Sequence, residues 1–366
     1  MNNYLSIFKN KKVVITGHTG FKGVWLSLWM QRLGANVVGI SDSVPTQPSH
    51  FDESGLIDVI DDRRLDIRDR FAVKQFLGEV RPDFIFHLAA QPLVRNSYVD
   101  PIKTWETNTL GTIHLLDALR DFDTSCSVVM ITSDKCYNNV EWVWGYKETD
   151  ELGGPDPYSA SKGAAELVIR SYVQSYFPKD GAVRIAVGRA GNVIGGGDWA
   201  EDRIIPDCMR AWANNEVVSL RNPNATRPWQ HVLEPLSGYI NLAVELSINN
   251  RFHGEPFNFG PLSNTDQSVG VLVNKMSEQW DSAVWEDVSN HSEGPYESSL
   301  LKLNCDKALH MLRWHAVWEF ERTLSETLSW YKNYYVDHRC QIKDLSISQI
   351  DAYTLCAKDL GLPWAQ

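Results

Sequence analysis

A tyrosine and a lysine four residues apart suggest acid–base chemistry on an alcohol. Tyr158 and Lys162 lie in residues 157–162 (PYSASK), where a helix is predicted to begin, so their side chains share one helix face. At a separation of about 4 Å and an effective dielectric constant near 20, the ammonium charge stabilises a phenolate by about 4 kcal/mol. We therefore expect the pKa of Tyr158 to fall by about two to three units from its usual value near 10. A phenolate formed near neutral pH is the base that oxidation of a sugar alcohol needs.

A hydroxyl, a carboxylate and an amine follow one another where an apolar run ends. Ser133, Asp134 and Lys135 come directly after residues 128–132 (VVMIT). Side chains at the carboxyl end of a parallel strand face the ligand crevice. Asp134 can give a proton to a leaving hydroxyl, and a neutral Lys135 can take a proton from carbon. The alternative is an exposed salt-bridging loop, but the nearby tyrosine–lysine pair favours catalysis.

A glycine-rich segment, residues 16–23 (TGHTGFKG), lies between the first predicted strand and the first predicted helix. Gly17 permits a tight turn, Gly20 lets the backbone approach a pyrophosphate, and Gly23 lets helix and strand pack closely. The helix N-terminus adds partial positive charge. Such a loop alone can be a simple turn, but between a strand and a helix it predicts a dinucleotide site.

The end of the second predicted strand favours one form of the cofactor. Asp42 stands there, and a carboxylate at this place accepts hydrogen bonds from a ribose diol and repels a 2′-phosphate. No arginine lies between residues 36 and 50 to bind such a phosphate. The sequence therefore predicts NAD rather than NADP, with Asp66 as a further candidate contact to the adenine.

Short apolar runs alternate with helical patterns along the chain and must position these side chains. Strands are predicted at residues 12–16, 36–40, 84–88, 128–133, 183–188 and 256–259, and helices at residues 21–33 and 104–119. This alternation implies right-handed βαβ crossovers and a parallel sheet covered on both faces. The predicted fold class is α/β, a Rossmann-type doubly wound parallel sheet with a smaller interleaved C-terminal substrate-binding lobe.

The alternation also predicts how the chain is divided. Residues 1–190 form the NAD-binding Rossmann domain, with strands returning near residues 254–260. Residues 191–340, where Trp, Pro and Arg are frequent, form most of the substrate lobe, and residues 341–366 form a helical tail.

Composition excludes several classes of partner. The 366 residues carry a formal net charge of −11, and an acidic surface repels nucleic acids and anionic membranes. No apolar run is long enough for a membrane span or a secretory leader. Six cysteines without CxxC spacing argue against a zinc site and a disulfide framework. We expect no metal, reduced thiols and a cytoplasmic location.

Six segments together resemble one protein family. They are TGHTGFKG, HLAAQPLVRNSY, TSDKCY, WGYKETDELGGPDPYSASKGAAE, GRAGNVIGGGDW and RPWQHVLEPL. They resemble segments of the extended short-chain dehydrogenase/reductases, and within these the CDP-glucose 4,6-dehydratase family. The resemblance covers most of residues 12–260, and TSDKCY and RPWQHVLEPL are its most specific parts.

The resemblance implies a role for each catalytic candidate. Tyr158 is the base for the C4 hydroxyl of a sugar, and Lys162 assists it and holds the nicotinamide ribose. Ser133 hydrogen-bonds the same hydroxyl, while Asp134 protonates the C6 hydroxyl as water leaves. Lys135 is the base at C5, at a position where dTDP-glucose dehydratases carry glutamate.

The resemblance also implies the ligands and their contacts. NAD is the cofactor, and its contacts, besides Tyr158 and Lys162, are Gly17, Thr19, Gly20, Phe21, Lys22, Gly23, Asp42, Asp66, Leu88, Ala89 and Ala90. The substrate is a nucleoside-diphospho-hexose, preferably CDP-glucose, and its contacts are Gln91, Arg95, Asn192, Arg203, Arg227 and His231. For the arginines and the histidine, a structural salt bridge or a core histidine is the alternative. Helices near residues 104–119 and 160–174 imply a homodimer or homotetramer.

The implied reaction removes water across C5 and C6, shuttles hydride from C4 to C6 through NAD, and belongs to deoxysugar biosynthesis. Three alternatives remain: a sugar-nucleotide epimerase, a dehydratase of a dTDP-, UDP- or GDP-sugar, and a non-catalytic dinucleotide-sensing protein. The Asp134–Lys135 pair argues against the epimerase. Tyr158 and Lys162 argue against the sensor.

Overall fold

A seven-stranded parallel sheet organises the protein, in the order β11-β6-β5-β4-β1-β2-β3. The computed structural model describes residues 4–261, 267–281, 283–289 and 300–366. Within them the strands are β1 (Lys12–Thr16), β2 (Asn36–Ser41), β3 (Asp61–Arg64), β4 (Phe84–His87), β5 (Cys126–Ile131), β6 (Val183–Ala190), β7 (Val193–Ile194), β8 (Val217–Leu220), β9 (Thr226–Arg227), β10 (Gln230–His231), β11 (Pro256–Phe259), β12 (Gln267–Ser268) and β13 (Val284–Asp287). The predicted doubly wound sheet is confirmed.

Helices cover both faces of this sheet. They are α1 (Phe21–Arg32), α2 (His50–Glu53), α3 (Arg70–Val80), α4 (Val94–Val99), α5 (Pro101–Trp105), α6 (Gly111–Leu119), α7 (Pro157–Tyr176), α8 (Ile204–Ala213), α9 (Leu233–Ile248), α10 (Val269–Ser277), α11 (Phe320–Lys332) and α12 (Ile342–Asp359). A π-helical turn, Glu106–Leu110, joins α5 to α6, so the predicted helix 104–119 is interrupted. None of the described helices is long and apolar enough to cross a membrane.

Alternate residues of the buried strands enter two separate cores. Val13 and Ile15 of β1 join the larger core, together with residues of α1 and α9. Val14 points to the opposite face and joins a second core, with residues of α3, α6 and α7. This alternation is the two-residue period of a strand that is buried on both faces.

Helix α9 comes from the part of the chain predicted to form the smaller lobe, yet it packs on the central sheet. Two glycines allow this close approach. A Cβ on Gly188 of β6 would lie 2.7 Å from the ring of Tyr239, and one on Gly238 would lie 2.3 Å from the ring of Phe259 in β11. The lobe and the sheet therefore share one hydrophobic core.

The C-terminal helix packs against the first helix. Trp29 of α1 contacts Tyr353 of α12 edge to face, with ring centroids 5.8 Å apart, and Trp364 at 6.1 Å. The hydroxyl of Tyr353 donates to buried Glu234 of α9 at 2.6 Å. The two ends of the chain therefore meet in the same core.

Strand β3 was absent from the sequence prediction. It pairs in parallel with β2 at the sheet edge, and its sequence is Asp-Asp-Arg-Arg. An edge strand with charged side chains has no apolar run to reveal it.

Candidate active site

The glycine-rich loop forms a cradle from which side chains are excluded. Gly17 has a φ of +73°, and a Cβ there would lie 2.8 Å from the backbone nitrogen of Ala89. A Cβ on Gly23 would lie 2.1 Å from the carbonyl oxygen of Gly17. Helix α1 begins just after Gly20, and no side chain caps its first-turn N–H groups. These groups and the open backbone fit the pyrophosphate of a dinucleotide.

The residues after β4 form the opposite wall of this cradle. Leu88, Ala89 and Ala90 are half-buried there. The backbone N–H of Ala89 donates to the hydroxyl of Thr16 at 3.0 Å, which holds this wall against the end of β1. Thr19 is buried in the loop and donates its hydroxyl to the carbonyl of Ser43 at 2.7 Å. Phe21, the first residue of α1, is half-buried.

The adenosine end of the cradle contains an arginine that the sequence analysis missed. Asp42 is exposed just after β2, where it can meet a ribose. Arg68 donates from Nε and Nη2 to Asp66, at 3.0 and 2.6 Å, and these hydrogen bonds hold the pKa of Asp66 below its usual value. Asp66 and nearby Glu106 both form ion pairs with Arg68. Because its charge is already paired, this arginine does not favour binding of the 2′-phosphate of NADP. A pocket is lined by Asp66, Arg68, Glu106, Leu110 and His114.

Helix α7 begins where its sequence predicts. The carboxylate of Asp156 accepts hydrogen bonds from the backbone N–H groups of Tyr158 and Ser159, both at 3.0 Å, and Pro157 occupies the first turn. A capping carboxylate and an early proline together fix a helix start. Tyr158 and Lys162 are thereby placed in the first turns of α7, each 6% exposed.

The expected low pKa of Tyr158 is wrong for the ligand-free site. Burial raises the pKa of this phenol to about 12, while the Ser133 hydroxyl beside it lowers it and Asp134 raises it. Burial also lowers the pKa of Lys162 to about 8. Attraction between the two charges alone would lower the pKa of the phenol. Both charged forms, however, lose solvation in the same buried place, and this effect is the larger one.

The segment Ser133–Asp134–Lys135 lies beside this pair. Ser133 caps a short 3₁₀ turn, Asp134–Cys136, by accepting from the N–H of Lys135 at 3.0 Å, and it donates to Asp134 at 3.0 Å. Asp134 is buried and Lys135 is half-buried. The ammonium of Lys135 makes no hydrogen bond to the residues that the structure describes. The predicted hydroxyl and acid therefore stand next to Tyr158, and Lys135 follows them in the same turn.

Lys22 adds a positive charge that the glycine-loop pattern does not predict. Burial lowers the pKa of its ammonium to about 8, with Arg203 and Lys162 lowering it further and Asp134 raising it. Lys22 thus lies close to two further cations and to one buried carboxylate, in a protein with a net charge of −11. Such a local positive field attracts an anionic ligand.

Two of the three predicted substrate arginines form ion pairs with aspartates. Arg95 of α4 donates to Asp202 at 2.5 Å, and Arg203 donates to Asp198 at 2.7 Å. Arg227 lies in β9 and donates from Nη1 to the carbonyl of Thr226. Asn192 is half-buried immediately before β7. Contact of these four residues with substrate stays a prediction.

Two further candidates are engaged by the scaffold itself. His231 is fully buried, accepts from the N–H of Leu233 at 3.3 Å, and packs its ring against Trp318; burial lowers its pKa to about 3. Gln91 donates its side-chain amide to Thr104 and accepts from the N–H of Leu93. Their predicted roles in substrate binding are untested.

Comparison with known proteins agrees with this geometry. Residues 14–327 match the family described as GDP-mannose 4,6 dehydratase. The CDP-glucose 4,6-dehydratase of Salmonella typhimurium is 48% identical over 333 residues, which are 89% of this chain and 92% of that protein.

Solved structures share the fold at lower identity. Pal from Bacillus thuringiensis has a TM-score of 0.76 at 22% identity, covering 88% of this chain and 99% of that one. UDP-glucuronic acid 4-epimerase from Bacillus cereus, in complex with UDP-glucuronic acid and NAD, has a TM-score of 0.75 at 20% identity, covering 88% and 100%. With a doubly wound sheet, a glycine cradle and a family match over most of its length, the chain belongs to the GDP-mannose 4,6 dehydratase family.

Proposed function

We propose that this protein is an NAD-dependent CDP-glucose 4,6-dehydratase that forms CDP-4-keto-6-deoxyglucose and water. One observation carries the proposal: Ser133 and Asp134 lie beside buried Tyr158, one turn of α7 before buried Lys162, with Lys135 next in the same turn and a dinucleotide cradle nearby. An oxidation at C4 needs the first pair, and an elimination needs the acid and base as well. The 48% identity to the Salmonella enzyme supports the CDP-sugar.

The side chains divide the work at C4. Tyr158 Oη takes the proton of the C4 hydroxyl, while Ser133 Oγ hydrogen-bonds the same oxygen. Lys162 supplies positive charge near the phenolate and holds a ribose hydroxyl. NAD held by the glycine cradle and Lys162 would supply a hydride acceptor for C4 and a hydride donor for C6, so the overall reaction would be redox-neutral.

The acid–base segment carries out the elimination. The ketone at C4 acidifies the C5 proton, which Lys135 Nζ removes. Asp134 gives a proton to the C6 oxygen, which leaves as water. C5 then receives a proton. In total the sugar has lost one molecule of water and has gained or lost no other atom.

Isotopic labels test this cycle. CDP-glucose with deuterium at C4 should give product with that deuterium at C6, and reaction in heavy water should place one solvent deuterium at C5. Loss of the C4 label to water, or reduced cofactor accumulating with product, would contradict the proposal. An epimerase would invert C4 without losing water. Comparing CDP-, dTDP-, UDP- and GDP-hexoses tests the preference for cytosine.

We also infer a homodimer or homotetramer formed through the helices on one side of the sheet. Apolar side chains are exposed there on neighbouring elements: Val99 at 85%, Ile102 at 70%, Leu110 at 44%, Leu167 at 47% and Tyr176 at 49%. Pairing these faces between two copies would remove apolar area from water. Light scattering should give at least twice the chain mass of 41.5 kDa; a monomer at micromolar concentration would contradict this inference.

A cytoplasmic location is part of the proposal. All six cysteines are free, and three of them, Cys126, Cys136 and Cys208, are buried. Unpaired thiols suit a reducing compartment. Fractionation of cells expressing the tagged chain would test it.

A further inference from the structure

A buried ion pair lies directly behind the catalytic side chains. Arg189 of β6 donates from Nε and Nη2 to the two carboxylate oxygens of Glu166 in α7, each at 2.8 Å. Their side chains are only 3% and 4% exposed. Two further hydrogen bonds complete the site: Thr132 donates to Glu166, and Arg189 Nη1 donates to the hydroxyl of Tyr137 at 2.7 Å. We call these four residues the Glu166–Arg189 network.

The network connects the two parts of the catalytic machinery. Glu166 lies four residues after Lys162, one turn further along α7. Thr132 immediately precedes the segment Ser133–Asp134–Lys135. Tyr137 immediately follows the 3₁₀ turn Asp134–Cys136, which Ser133 caps. Both flanks of the acid–base segment are therefore attached, through one ion pair, to the helix that carries Tyr158.

The network is also anchored to the outer strands of the sheet. The hydroxyl of Tyr137 donates to the side chain of Asn258 in β11 at 2.8 Å. The amide of Asn258 in turn donates to the carbonyls of Tyr146 and Asn304, and Arg189 Nη1 donates to that of Glu148. These hydrogen bonds attach the ion pair to strands and loops on several sides. They therefore restrict its movement and keep its geometry defined.

Stability does not account for this arrangement. Desolvating two charges can cost as much as their attraction returns, and replacing such a pair by apolar side chains of similar volume is often neutral or stabilising. What a bidentate carboxylate–guanidinium pair does provide is a fixed distance and orientation between the elements that it joins. A dehydratase needs this, because two sets of groups must act on adjacent carbons of one sugar without the sugar moving.

We propose that the Glu166–Arg189 network is a positioning element for the dehydration: it holds Ser133–Asp134–Lys135 in register with Tyr158, so that C4 oxidation and C5–C6 elimination occur in one binding pose. This inference rests on the proposed function. Neither Glu166 nor Arg189 is among the residues proposed to contact the sugar. Their loss should therefore slow the elimination more than the oxidation, because a misplacement of about 1 Å can cost about 100-fold.

The test compares three ways of weakening the network. Thr132→Val removes one hydrogen bond without changing a charge. On the other flank Tyr137→Phe removes two, one accepted from Arg189 and one donated to Asn258, also without changing a charge. The double variant E166M/R189M replaces the pair by apolar side chains and leaves no buried charge unpaired. The control is K275M/E321M, which removes an ion pair whose side chains are 37% and 68% exposed and which lies outside the site.

Isotope effects separate positioning from simple destabilisation. In the network variants, kcat should fall about 10- to 100-fold, the deuterium isotope effect from C5 should rise, and that from C4 should shrink. Acid quenching should also recover 4-keto-glucose nucleotide that still carries its C6 hydroxyl. An enzyme that is merely less stable would lose active molecules and leave both isotope effects unchanged.

The outcomes distinguish this inference from the proposed function. If E166M/R189M, or the two single variants should the double variant not fold, show wild-type rates and isotope effects, the positioning role is overturned. An equal fall in oxidation and elimination would also overturn it. If the wild-type protein forms no 4-keto-6-deoxy sugar from any hexose nucleotide, the proposed function fails instead.

Discussion

Charged side chains occur in two settings that differ in their contact with water. At the floor of the site, Lys162 is buried and Lys22 is half-buried, and loss of solvation lowers the pKa of each to about 8. At the surface, Arg95 and Asp202 form an ion pair whose side chains are 35% and 41% exposed, where water weakens their attraction. If the floor residues perform the proposed chemistry, substitutions there should cost far more activity than substitutions in the exposed pair. Four predictions test that contrast.

The largest effect is expected for Tyr158→Phe. Without the phenol hydroxyl no group at this place can take the C4 proton, so kcat should fall by about 10³-fold or more while the fold is kept. Turnover of CDP-glucose measures the loss. Tyr176→Phe is the matched control, because Tyr176 lies on the same helix and is 49% exposed. A loss below about tenfold for Tyr158→Phe would remove the tyrosine from the base role.

Lys135→Met should have the next largest effect, about 10²- to 10³-fold on the elimination. The variant should still oxidise C4 but stall there, because no base then removes the C5 proton. Exchange of solvent deuterium into C5 measures this step directly. Lys147→Met, at an exposed lysine in the following loop, should exchange at the wild-type rate. Normal exchange in Lys135→Met would leave Lys135 a structural lysine.

Lys22→Met should weaken NAD binding by about tenfold and stabilise the ligand-free protein. A lysine whose pKa is about 8 in the folded state and about 10.4 when unfolded costs folding free energy while it is charged. This cost is fully present below about pH 8 and disappears as the pH rises towards about 10.4, because the unfolded chain alone keeps its proton in that window. The gain from Lys22→Met should therefore be at most about 3 kcal/mol at pH 7 and decrease as the pH rises.

Calorimetric titration with NAD and chemical unfolding at several pH values measure the two effects. The control is Lys9→Met, at an exposed lysine, which should change neither by more than about 0.5 kcal/mol. A Lys22→Met protein that is less stable at pH 7 would show that the ammonium has a compensating partner in the folded protein.

Asp202→Asn should have the smallest effect. Removing one partner of an exposed ion pair changes the free energy of unfolding by less than about 1 kcal/mol, and added salt should reduce the difference further. We expect kcat/KM to change by no more than about threefold. A change above tenfold would mean that the exposed pair is as important for activity as the residues at the floor of the site, and would contradict the difference between the two settings.

The sequence predicts the parts of this protein whose structure follows from local patterns. The glycine cradle, the start of α7 and the six apolar strands are examples, because each depends on neighbouring residues. Strand β3 was missed because its charged residues lie at a solvent-facing edge. Lys22 could not be assigned its surroundings, since these depend on Asp134 and Arg203, which lie in other elements. Arg68 pairs with Asp66 only two residues before it, but no local pattern marks that pair as part of a cofactor site. The pKa of Tyr158 was wrong in direction because burial is a tertiary property.

The meeting of the chain ends has a consequence for the order of synthesis. Trp29 near the start of the chain packs against Tyr353 and Trp364, which a ribosome adds more than three hundred residues later. Helix α9, which packs on the sheet, and strand β11, which pairs with β6, are likewise synthesised after the other strands of the sheet. A nascent chain must therefore leave part of one apolar face of its sheet uncovered until these later segments have been synthesised, and such surfaces are open to aggregation. We expect this protein to depend on chaperones during translation more than its finished fold would indicate.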